Sequence, residues 1–160
     1  MRLTRYTDFA LRVLLYVAAR PDKLCSIGEI SRAYGVSQNH MMKVVNDLAN
    51  AGYVASVRGR SGGIRLGRPA AAINIGAVVR HTEDSFQVVD CATCVIAPVC
   101  GLTRVLDDAV RAFMGVLDGY TLDDLMDQRD ALNAIFDRAG QAPAQPFRNT
   151  RTSPASVTRS

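Results

Sequence analysis

Two short, capped helices followed directly by a glycine-rich hairpin constrain this chain more than any other feature of its sequence. Ser26-Ile27-Gly28-Glu29 has the pattern of a capping box, in which the serine and glutamate side chains satisfy amides at a helix start. The helix that it opens, Ile27 to Tyr34, meets Gly35, a residue typical of helix ends. Ser37 is placed to cap the next helix, from Gln38 to about Asn50. A short helix, a tight turn and a second helix predict a helix-turn-helix unit.

The second helix of this unit has two chemically different faces. Its apolar residues fall at the spacing i, i+3, i+4 and i+7, which predicts one buried stripe. They are Met41, Val44, Val45 and Leu48. The opposite face carries side chains that can all form hydrogen bonds, namely Asn39, His40, Lys43, Asn46 and Asn50. A helix of this kind is suited to lie in the major groove of DNA.

A basic hairpin follows the helix-turn-helix unit. Tyr53 to Val57 and Ile64 to Leu66 alternate as strands do, and the segment between them is Arg58-Gly59-Arg60-Ser61-Gly62-Gly63. We interpret this hairpin as a wing. The sequence therefore predicts a fold that is mainly α with a small β-hairpin wing, a winged helix-turn-helix.

The helices outside the winged unit indicate a second subunit. The first helix, about Thr7 to Ala19, is apolar nearly all round, so it must be covered on more than one side. A long helix, about Leu102 to Tyr120, carries a broad apolar seam of the kind that pairs with its own copy, and we expect a homodimer built on this dimerisation helix. The remaining helices are predicted over about Ile73 to Glu83 and from Thr121-Leu122-Asp123-Asp124, which caps it, to about Arg138.

Charge divides the chain into three parts. Residues 1–70 hold 11 lysines and arginines against 4 acidic residues, a net charge of +7, and are predicted to form the DNA-binding domain. Residues 71–138 hold 5 against 11, a net charge of −6, and are predicted to form a cysteine loop and the dimerisation helices. Residues 139–160 add +3, and their content of Pro, Ala, Gln, Ser, Thr and Arg predicts a disordered tail. A basic module joined to an acidic one suits a partner that is a polyanion.

Charge, capped helices and wing together predict binding to double-stranded operator DNA. Amide and imidazole groups can read base edges in the major groove, and lysine can reach guanine or phosphate. Wing arginines suit phosphates or a narrow minor groove. For any single residue, an ordinary solvated surface side chain is an equally good interpretation. The candidate DNA-contacting residues are Ser37, Gln38, Asn39, His40, Lys43, Arg58, Arg60, Ser61 and Arg65.

Three cysteines, Cys91, Cys94 and Cys100, lie within ten residues. Thiolates are soft ligands that suit an iron–sulfur cluster, zinc or copper(I). Zinc sites and cubane clusters usually need four ligands, so a fourth must come from another residue, a solvent molecule or a second subunit. Cys25 could complete a tetrathiolate zinc site, although its position just before the helix-turn-helix unit predicts a small buried residue. A loop disulfide or three free thiols is the alternative without a metal.

The sequence does not support several other classes of protein. No apolar run reaches the roughly 18 residues that a membrane span needs, since Arg12 interrupts Phe9 to Ala19. The first six residues lack the basic, apolar and small order of a signal peptide, so we expect a cytoplasmic protein with no membrane partner. No phosphate loop and no nucleophile with a catalytic partner is present, so an enzyme is not expected.

Several stretches match a known pattern that spans nearly all of residues 1–138. They are Met1-Arg2-Leu3-Thr4, Thr7 to Arg12, Tyr34 to Ser37 with His40-Met41 and Lys43, Val57 to Pro69, Val78-Val79-Arg80, the three cysteines and Tyr120 to Leu125. In these stretches the chain resembles the family of winged-helix iron–sulfur transcriptional regulators that includes NsrR, RirA and IscR. Within that family, Asn39 to Asn46 and Ile96 to Cys100 look most like the members that sense nitric oxide.

The resemblance implies a homodimeric repressor that binds operator DNA while its iron–sulfur cluster is intact, with a 4Fe–4S cluster favoured over 2Fe–2S. Nitric oxide would attack the cluster and release the DNA. In some members an aspartate near the N-terminus of the partner subunit is the fourth ligand, and Asp8 stands in that position. The metal ligands that the resemblance implies are therefore Cys91, Cys94, Cys100 and Asp8. An equally good interpretation of Asp8 is a carboxylate that favours a helix start, and His81 is a weaker candidate ligand.

One departure from the family pattern affects the cofactor. Only two residues separate Cys91 from Cys94, whereas the family usually spaces these cysteines more widely. The short spacing leaves the cluster type open and favours zinc slightly more. Two alternatives follow: a regulator of the same architecture that responds to iron availability, and a protein of another class, a structural zinc-binding interaction module.

Overall fold

A computed structural model describes residues 2–141, which form six α-helices and one antiparallel hairpin of two strands. The elements are α1 (Arg5–Ala18), α2 (Ile27–Tyr34), α3 (Gln38–Asn50), β1 (Val54–Val57), β2 (Gly63–Leu66), α4 (Ile75–Thr82), α5 (Leu102–Asp118) and α6 (Arg129–Gln141). Short 3-10 turns cover Ala70–Ala72, Ala97–Val99 and Asp123–Met126. The predicted fold class, mainly α with a small β-hairpin wing, is confirmed. Within the described residues, no helix has the length and apolar character that a membrane span requires.

The capping signals of the helix-turn-helix unit act as predicted. The Ser26 hydroxyl accepts from the Glu29 amide at 3.1 Å, and the Glu29 carboxylate accepts from the Ser26 amide at 2.7 Å, which completes the capping box. Gly35 ends α2 in the left-handed conformation, with φ of 63°. The Ser37 hydroxyl accepts from the His40 amide at 3.4 Å and so caps α3. Local chemistry therefore defines both helices of the unit.

The core is organised around α1, which packs against α3, α4 and β2. It buries Ala10, Val13, Leu14, Tyr16, Val17 and Ala18 within its own chain. The predicted stripe of α3 is confirmed, because Met41, Val44, Val45 and Leu48 are each at most 1% exposed. Burial of a large aliphatic side chain contributes about 1.5–3 kcal/mol. Burial of this stripe holds the opposite, polar face of α3 toward solvent.

Cys25 is one of the residues that tie the wing to the helix-turn-helix unit. Cys25, just ahead of α2, exchanges two backbone hydrogen bonds with Ile64 of β2, at 2.9 and 2.8 Å. A side chain at Gly63 would place its first carbon 2.9 Å from the Cys25 carbonyl oxygen, so glycine permits this close approach. The strands β1 and β2 pair along their whole length. The wing therefore has a defined orientation relative to α2 and α3.

Three helices differ from their predicted bounds by about two residues. α1 begins two residues earlier, because the Thr4 hydroxyl accepts from the Thr7 amide at 3.2 Å. α4 begins two residues later, because the Asn74 side chain accepts from the Ala77 amide at 2.9 Å. α5 ends two residues earlier than predicted, at a glycine. Short side-chain caps, rather than apolar periodicity, decide the starts of α1 and α4.

The predicted last helix is divided into two elements. Thr121 and Asp124 cap each other as predicted, since the Thr121 amide donates to the Asp124 carboxylate at 2.7 Å. The turn that they close is the 3-10 segment and not the start of a long helix. Two buried side chains, Leu122 just before this segment and Met126 at its end, hold it against the core, and α6 starts only at Arg129.

α6 returns to the N-terminal part of the molecule. Its Phe136 ring lies beside Tyr16 of α1, with centroids 4.8 Å apart, and the helix also packs against α2. α6 runs to Gln141, so it enters the predicted tail of 139–160 by three residues. The rest of that predicted tail, 142–160, lies outside the described residues.

Candidate nucleic-acid interface and cysteine loop

α3 presents its predicted polar face to solvent. All five candidate contact residues of this helix and its cap are exposed: Ser37, Gln38, Asn39, His40 and Lys43. The Ser37 hydroxyl lies 2.9 Å from Nδ1 of His40, which holds the imidazole near the helix start. Nε2 is then the remaining hydrogen-bonding atom of this ring. Amide, imidazole and ammonium groups on the first two turns of one helix suit base edges and phosphates.

The wing presents its basic residues in the same way. Its candidate contact residues, Arg58, Arg60, Ser61 and Arg65, are exposed. At the tip, the Gly62 amide donates to the Gly59 carbonyl at 3.0 Å. Gly59 has φ of 122°, a conformation that favours glycine. The two tip arginines therefore belong to a compact turn that its glycines make possible.

Arg68, which sequence reasoning did not select, connects the wing to α3. Its guanidinium donates to the carbonyls of Ala51 at 2.8 Å and Gly52 at 3.2 Å, and it lies 4.4 Å from the centre of the Tyr53 ring. Carbonyls at a helix end lack partners within the helix, so a nearby arginine satisfies them. The sequence indicates that the carbonyls at the end of this helix need hydrogen-bond donors. It does not indicate that Arg68, which lies 16 residues or more further along the chain, supplies them.

Asp47 on α3 links three helices. Its carboxylate lies 3.1 Å from Nε2 of His81 on α4. Burial, followed by a hydrogen bond with Asp47, raises the pKa of Tyr6 on α1 to about 12. The sequence predicts His81 as a surface histidine or a weak candidate ligand, and the structure places it against α3. Because α4 leads into the cysteine loop, this contact joins that half of the chain to the candidate recognition helix.

The cysteine loop, residues 90–101, is built from consecutive short turns. The Cys94 amide donates to the Cys91 carbonyl at 3.3 Å, and the Cys100 amide donates to the Ala97 carbonyl at 3.4 Å. Cys91 and Cys100 are half-buried, Cys94 is exposed, and none of them is in a disulfide. The Cys91 sulfur lies 3.5 Å from the Thr103 hydroxyl at the start of α5. The loop also exposes large apolar side chains, with Val95 93% exposed and Val99 88%.

The donors of this loop fit a thiophilic cofactor in kind but not in number. Three unpaired thiols are the ligands that iron–sulfur clusters and zinc select. Over residues 2–141, no group of three or more His, Cys, Asp or Glu side chains is close enough together to hold a metal ion. The structure therefore does not bring the three cysteines and Asp8 together as a formed site. A cofactor would need the loop to close around it and a ligand from elsewhere.

Asp8 lies in the first turn of α1 and is 43% exposed. Its carboxylate accepts from Nε of Arg12 at 2.8 Å, a pair one helical turn apart. Nearby, the Thr4 amide donates to the Glu83 carboxylate at 2.7 Å and so attaches the N-terminus to the segment after α4. Both interpretations of Asp8 keep support: it stands at a helix start, and its carboxylate is accessible to a second subunit.

Cys25 is separate from the cysteine loop. It is fully buried beneath the wing, and burial raises the pKa of its thiol. A raised pKa disfavours the thiolate that metals bind. Cys25 is thus a small buried core residue, as its position in the sequence predicts.

Comparison with known proteins gives the same architecture. The Rrf2 family, described as iron-dependent transcriptional regulator, matches residues 3–128. The HTH-type transcriptional regulator NsrR of Bacillus subtilis is 52% identical over 142 residues, covering 85% of this chain and 97% of the relative. The NsrR of Bacillus licheniformis is 45% identical over 142 residues, covering 85% and 99%. These relatives are regulators of transcription, which confirms the prediction that the chain is not an enzyme.

Solved structures agree on the fold. The chain is similar to CymR, the global cysteine regulator of B. subtilis, with a TM-score of 0.63 and 28% identity over 78% of this chain and 95% of CymR. It is also similar to T. potens IscR, with a TM-score of 0.66 over 84% of this chain and 90% of IscR. The identity to IscR is 24%, so that likeness shows the fold alone.

Proposed function

The chain belongs to the Rrf2 family of transcriptional regulators, and we propose that it is a cytoplasmic repressor whose iron–sulfur cluster senses nitric oxide. In this proposal, residues 1–70 read operator DNA, and residues 71–138 hold the cluster and the dimerisation helices. The 52% identity to a protein named NsrR supports the nitric oxide signal. The single observation that carries DNA binding is the exposure of all nine candidate contact residues on α3, its cap and the neighbouring wing.

Each half of the candidate interface has its own role. Asn39 and His40, at the start of α3, would contact base edges, and Lys43 would contact guanine or phosphate. Arg58 and Arg60 would contact the sugar–phosphate backbone and position the duplex. Arg68 and Cys25 contact no DNA in this account and hold the wing against α3.

The thiolates of Cys91, Cys94 and Cys100 would hold the cluster, with Asp8 of the partner subunit as the fourth ligand and a 4Fe–4S cluster favoured. When bound, the cluster would supply the iron at which nitric oxide reacts. For its part, the loop offers three unpaired thiols on short turns. Asp8 would have to exchange its hydrogen bond from Arg12 for a metal. Its 43% exposure makes that exchange sterically possible.

A second copy of this chain would cover the exposed apolar residues of α5. Leu102, Val105 and Val116 are 54, 56 and 62% exposed on this helix. Single exposed apolar residues are ordinary, but a row of them along one helix indicates an interface. The Asp8 proposal requires that this dimer bring the N-terminus of one subunit near the cysteine loop of the other.

An iron-availability regulator is the second candidate function. The family description, iron-dependent transcriptional regulator, favours it. Both candidates use the same DNA-binding surface and the same thiols, so they differ only in the event that empties or alters the loop. The test must therefore compare nitric oxide with iron withdrawal on one preparation.

The proposal can be tested on full-length protein purified without oxygen. We expect a brown protein that contains iron and sulfide and that protects an inverted-repeat operator from nuclease. Absorption and resonance Raman spectra should change with stoichiometric nitric oxide, and protection should be lost. Cys94→Ser should remove the cluster, whereas Thr93→Ser, a matched change in the same loop, should retain it.

Three outcomes decide between the candidates. A colourless zinc protein whose DNA affinity ignores nitric oxide would contradict the sensor and support the zinc-binding module. Loss of DNA protection on iron chelation, under conditions where nitric oxide has no effect, would establish the iron-availability regulator. Absence of operator protection in every state would overturn the assignment of the α3 and wing surface to DNA.

A further inference from the structure

An open cavity of about 570 Å³ lies at the base of the wing. Its walls come from the end of α1, from both strands of the wing and from the segment that starts α6. The cavity is distinct from the exposed face of α3 and from the cysteine loop. Its volume lies in the range of about 300–1,000 Å³ that is typical of small-molecule sites.

Arginines dominate the charge of this cavity, which we call the wing-base cavity. Four of them line it, Arg20, Arg65, Arg68 and Arg129, against one carboxylate, Asp123. Arg68 is already fixed by its bonds to the Ala51 and Gly52 carbonyls just after α3, so its charge is held in place at little further ordering cost. Although Arg20 is paired with Asp137, guanidinium groups outnumber carboxylates around this concave space and give it a positive potential.

Two of these arginines carry buried N–H groups without a partner. Nη1 of Arg20 and Nε of Arg129 are buried and have no hydrogen-bond partner among the described residues. The Arg20 side chain is only 9% exposed, with Nη2 bound to Asp137 at 2.7 Å. An unpaired buried donor costs about 1–3 kcal/mol, and more for a charged group. An oxyanion in the wing-base cavity would remove part of that cost once either guanidinium turns toward it.

We propose that the wing-base cavity binds a small oxyanion that carries at least two negative charges. Guanidinium forks match both carboxylates and phosphates, so the shared chemistry is that of a di-anionic carboxylate or phosphate. The proposal does not depend on the cofactor or on nitric oxide. It adds a ligand site to a part of the molecule that the proposed function uses only as support for the wing.

Such a ligand would couple the wing to the segment that starts α6. Arg65 comes from the wing, while Asp123 and Arg129 come from the C-terminal segment. An anion held between them would compete with DNA phosphates for Arg65 and would fix the wing against α6. The sign of the coupling is therefore negative: bound anion lowers operator affinity, and by linkage operator DNA lowers anion affinity.

Calorimetric titration of the full-length protein with inorganic phosphate and with malonate tests this site, with chloride at matched ionic strength as the blank. We expect saturable binding of at least one of the two anions, and the stronger one identifies the phosphate or carboxylate source. Arg129→Gln should weaken it about tenfold, the equivalent of one charged hydrogen bond. Asp123→Asn should tighten it, because Asp123 is the carboxylate that lines the cavity and repels an anion. Arg138→Gln, on the same helix but outside the cavity, should leave it unchanged.

Two results would overturn the proposal. The first is no saturable binding of either anion, or equal binding by Arg129→Gln and Arg138→Gln. The second is loss of operator affinity in Arg129→Gln together with no anion binding, which would make the cavity a contact for the DNA backbone. Arg129 is half-exposed, and unchanged thermal unfolding of both variants without anion verifies that the fold is intact.

Discussion

The DNA-reading region and the cysteine loop of this protein differ in how much each can do alone. In the helix-turn-helix region, α3 is capped by Ser37, packed through Leu48, and joined to the wing by Arg68. In the cysteine loop, Val95 and Val99 are about nine-tenths exposed, and the three thiols have no common metal-binding arrangement with a fourth donor. The first region is complete within one chain. The second needs a cofactor, a partner subunit or both.

This difference separates two kinds of evidence. Capping boxes and apolar stripes are local, so the sequence of one chain contains everything that they require. A metal site, in contrast, needs side chains that are far apart in the chain to come together in space. A ligand that comes from a second subunit gives no periodic pattern in the sequence around the site. The helix-turn-helix unit and its wing could therefore be derived from residue spacing. The proposed sensor function of the cysteine loop rests instead on three thiols and on family membership.

The largest expected effect is the loss of stability when a buried residue of the helix-turn-helix region is truncated, compared with a truncation in the cysteine loop. Leu48→Ala removes a fully buried side chain from α3 and should lower the free energy of unfolding by about 3 kcal/mol. Val95→Ala, in the loop, should change it by less than about 0.5 kcal/mol. Chemical denaturation of both variants measures the contrast. Equal destabilisation by the two changes would mean that the cysteine loop is as tightly packed as the helix-turn-helix region.

The next effect, on DNA affinity, distinguishes residues of α3 that read bases from residues of the wing that contact the DNA backbone. Asn39→Ala should change the preference among bases by about 1–3 kcal/mol at one operator position. Arg60→Ala should weaken binding to all sequences alike and reduce the salt slope by about one unit. Binding to operator variants at several salt concentrations checks both. A uniform loss in Asn39→Ala would move that residue from base reading to backbone contact.

A smaller effect concerns the cap of α2. Burial opposes ionisation of Glu29, but hydrogen bonds from Lys23 and from the Ser26 amide prevail and lower its pKa from 4.5 to about 2. A lowered pKa gives stability that is present above about pH 4.5 and is lost as the pH falls toward about 2. Glu29→Gln should therefore cost about 1 kcal/mol at neutral pH and much less near pH 2. Asp22→Asn, an exposed change ahead of the same helix, is the control, and a pH-independent difference would contradict the assignment.

The smallest effect on stability has the largest bearing on the sensor. Asp8 and Arg12 form a half-exposed pair one turn apart, worth about 0.3–0.5 kcal/mol, so both Asp8→Ala and Arg12→Gln should destabilise the protein little. Arg12→Gln should cost slightly more, because the Arg12 guanidinium also lies 5.5 Å from the centre of the Tyr34 ring. Only Asp8→Ala should alter the absorption spectrum of the iron-loaded protein if Asp8 is a ligand. Identical spectra for both variants and the parent would leave Asp8 with its helix-start role.

Much of the fold followed from the sequence, and the errors have physical causes. The helices α2 and α3, the buried stripe of α3 and the wing are as predicted, because each is defined by contacts between residues close together in the chain. The predicted start of the last helix was wrong, because Thr121 and Asp124 close a 3-10 turn as readily as they start a helix. The contact between His81 and Asp47 and the cap by Arg68 could not be predicted, because both join residues far apart in the chain.

Operator affinity measured against nitric oxide tests the central claim most directly. Anaerobic, iron-loaded protein would be titrated onto a labelled inverted-repeat duplex and followed by fluorescence anisotropy, with increasing equivalents of nitric oxide. We expect affinity to fall by tenfold or more, within the 5–150-fold range of an ordinary allosteric coupling. The variant with Cys91→Ser, Cys94→Ser and Cys100→Ser should show no dependence on nitric oxide. Unchanged affinity of the parent protein at excess nitric oxide, or an equal fall in the triple variant, would contradict the account.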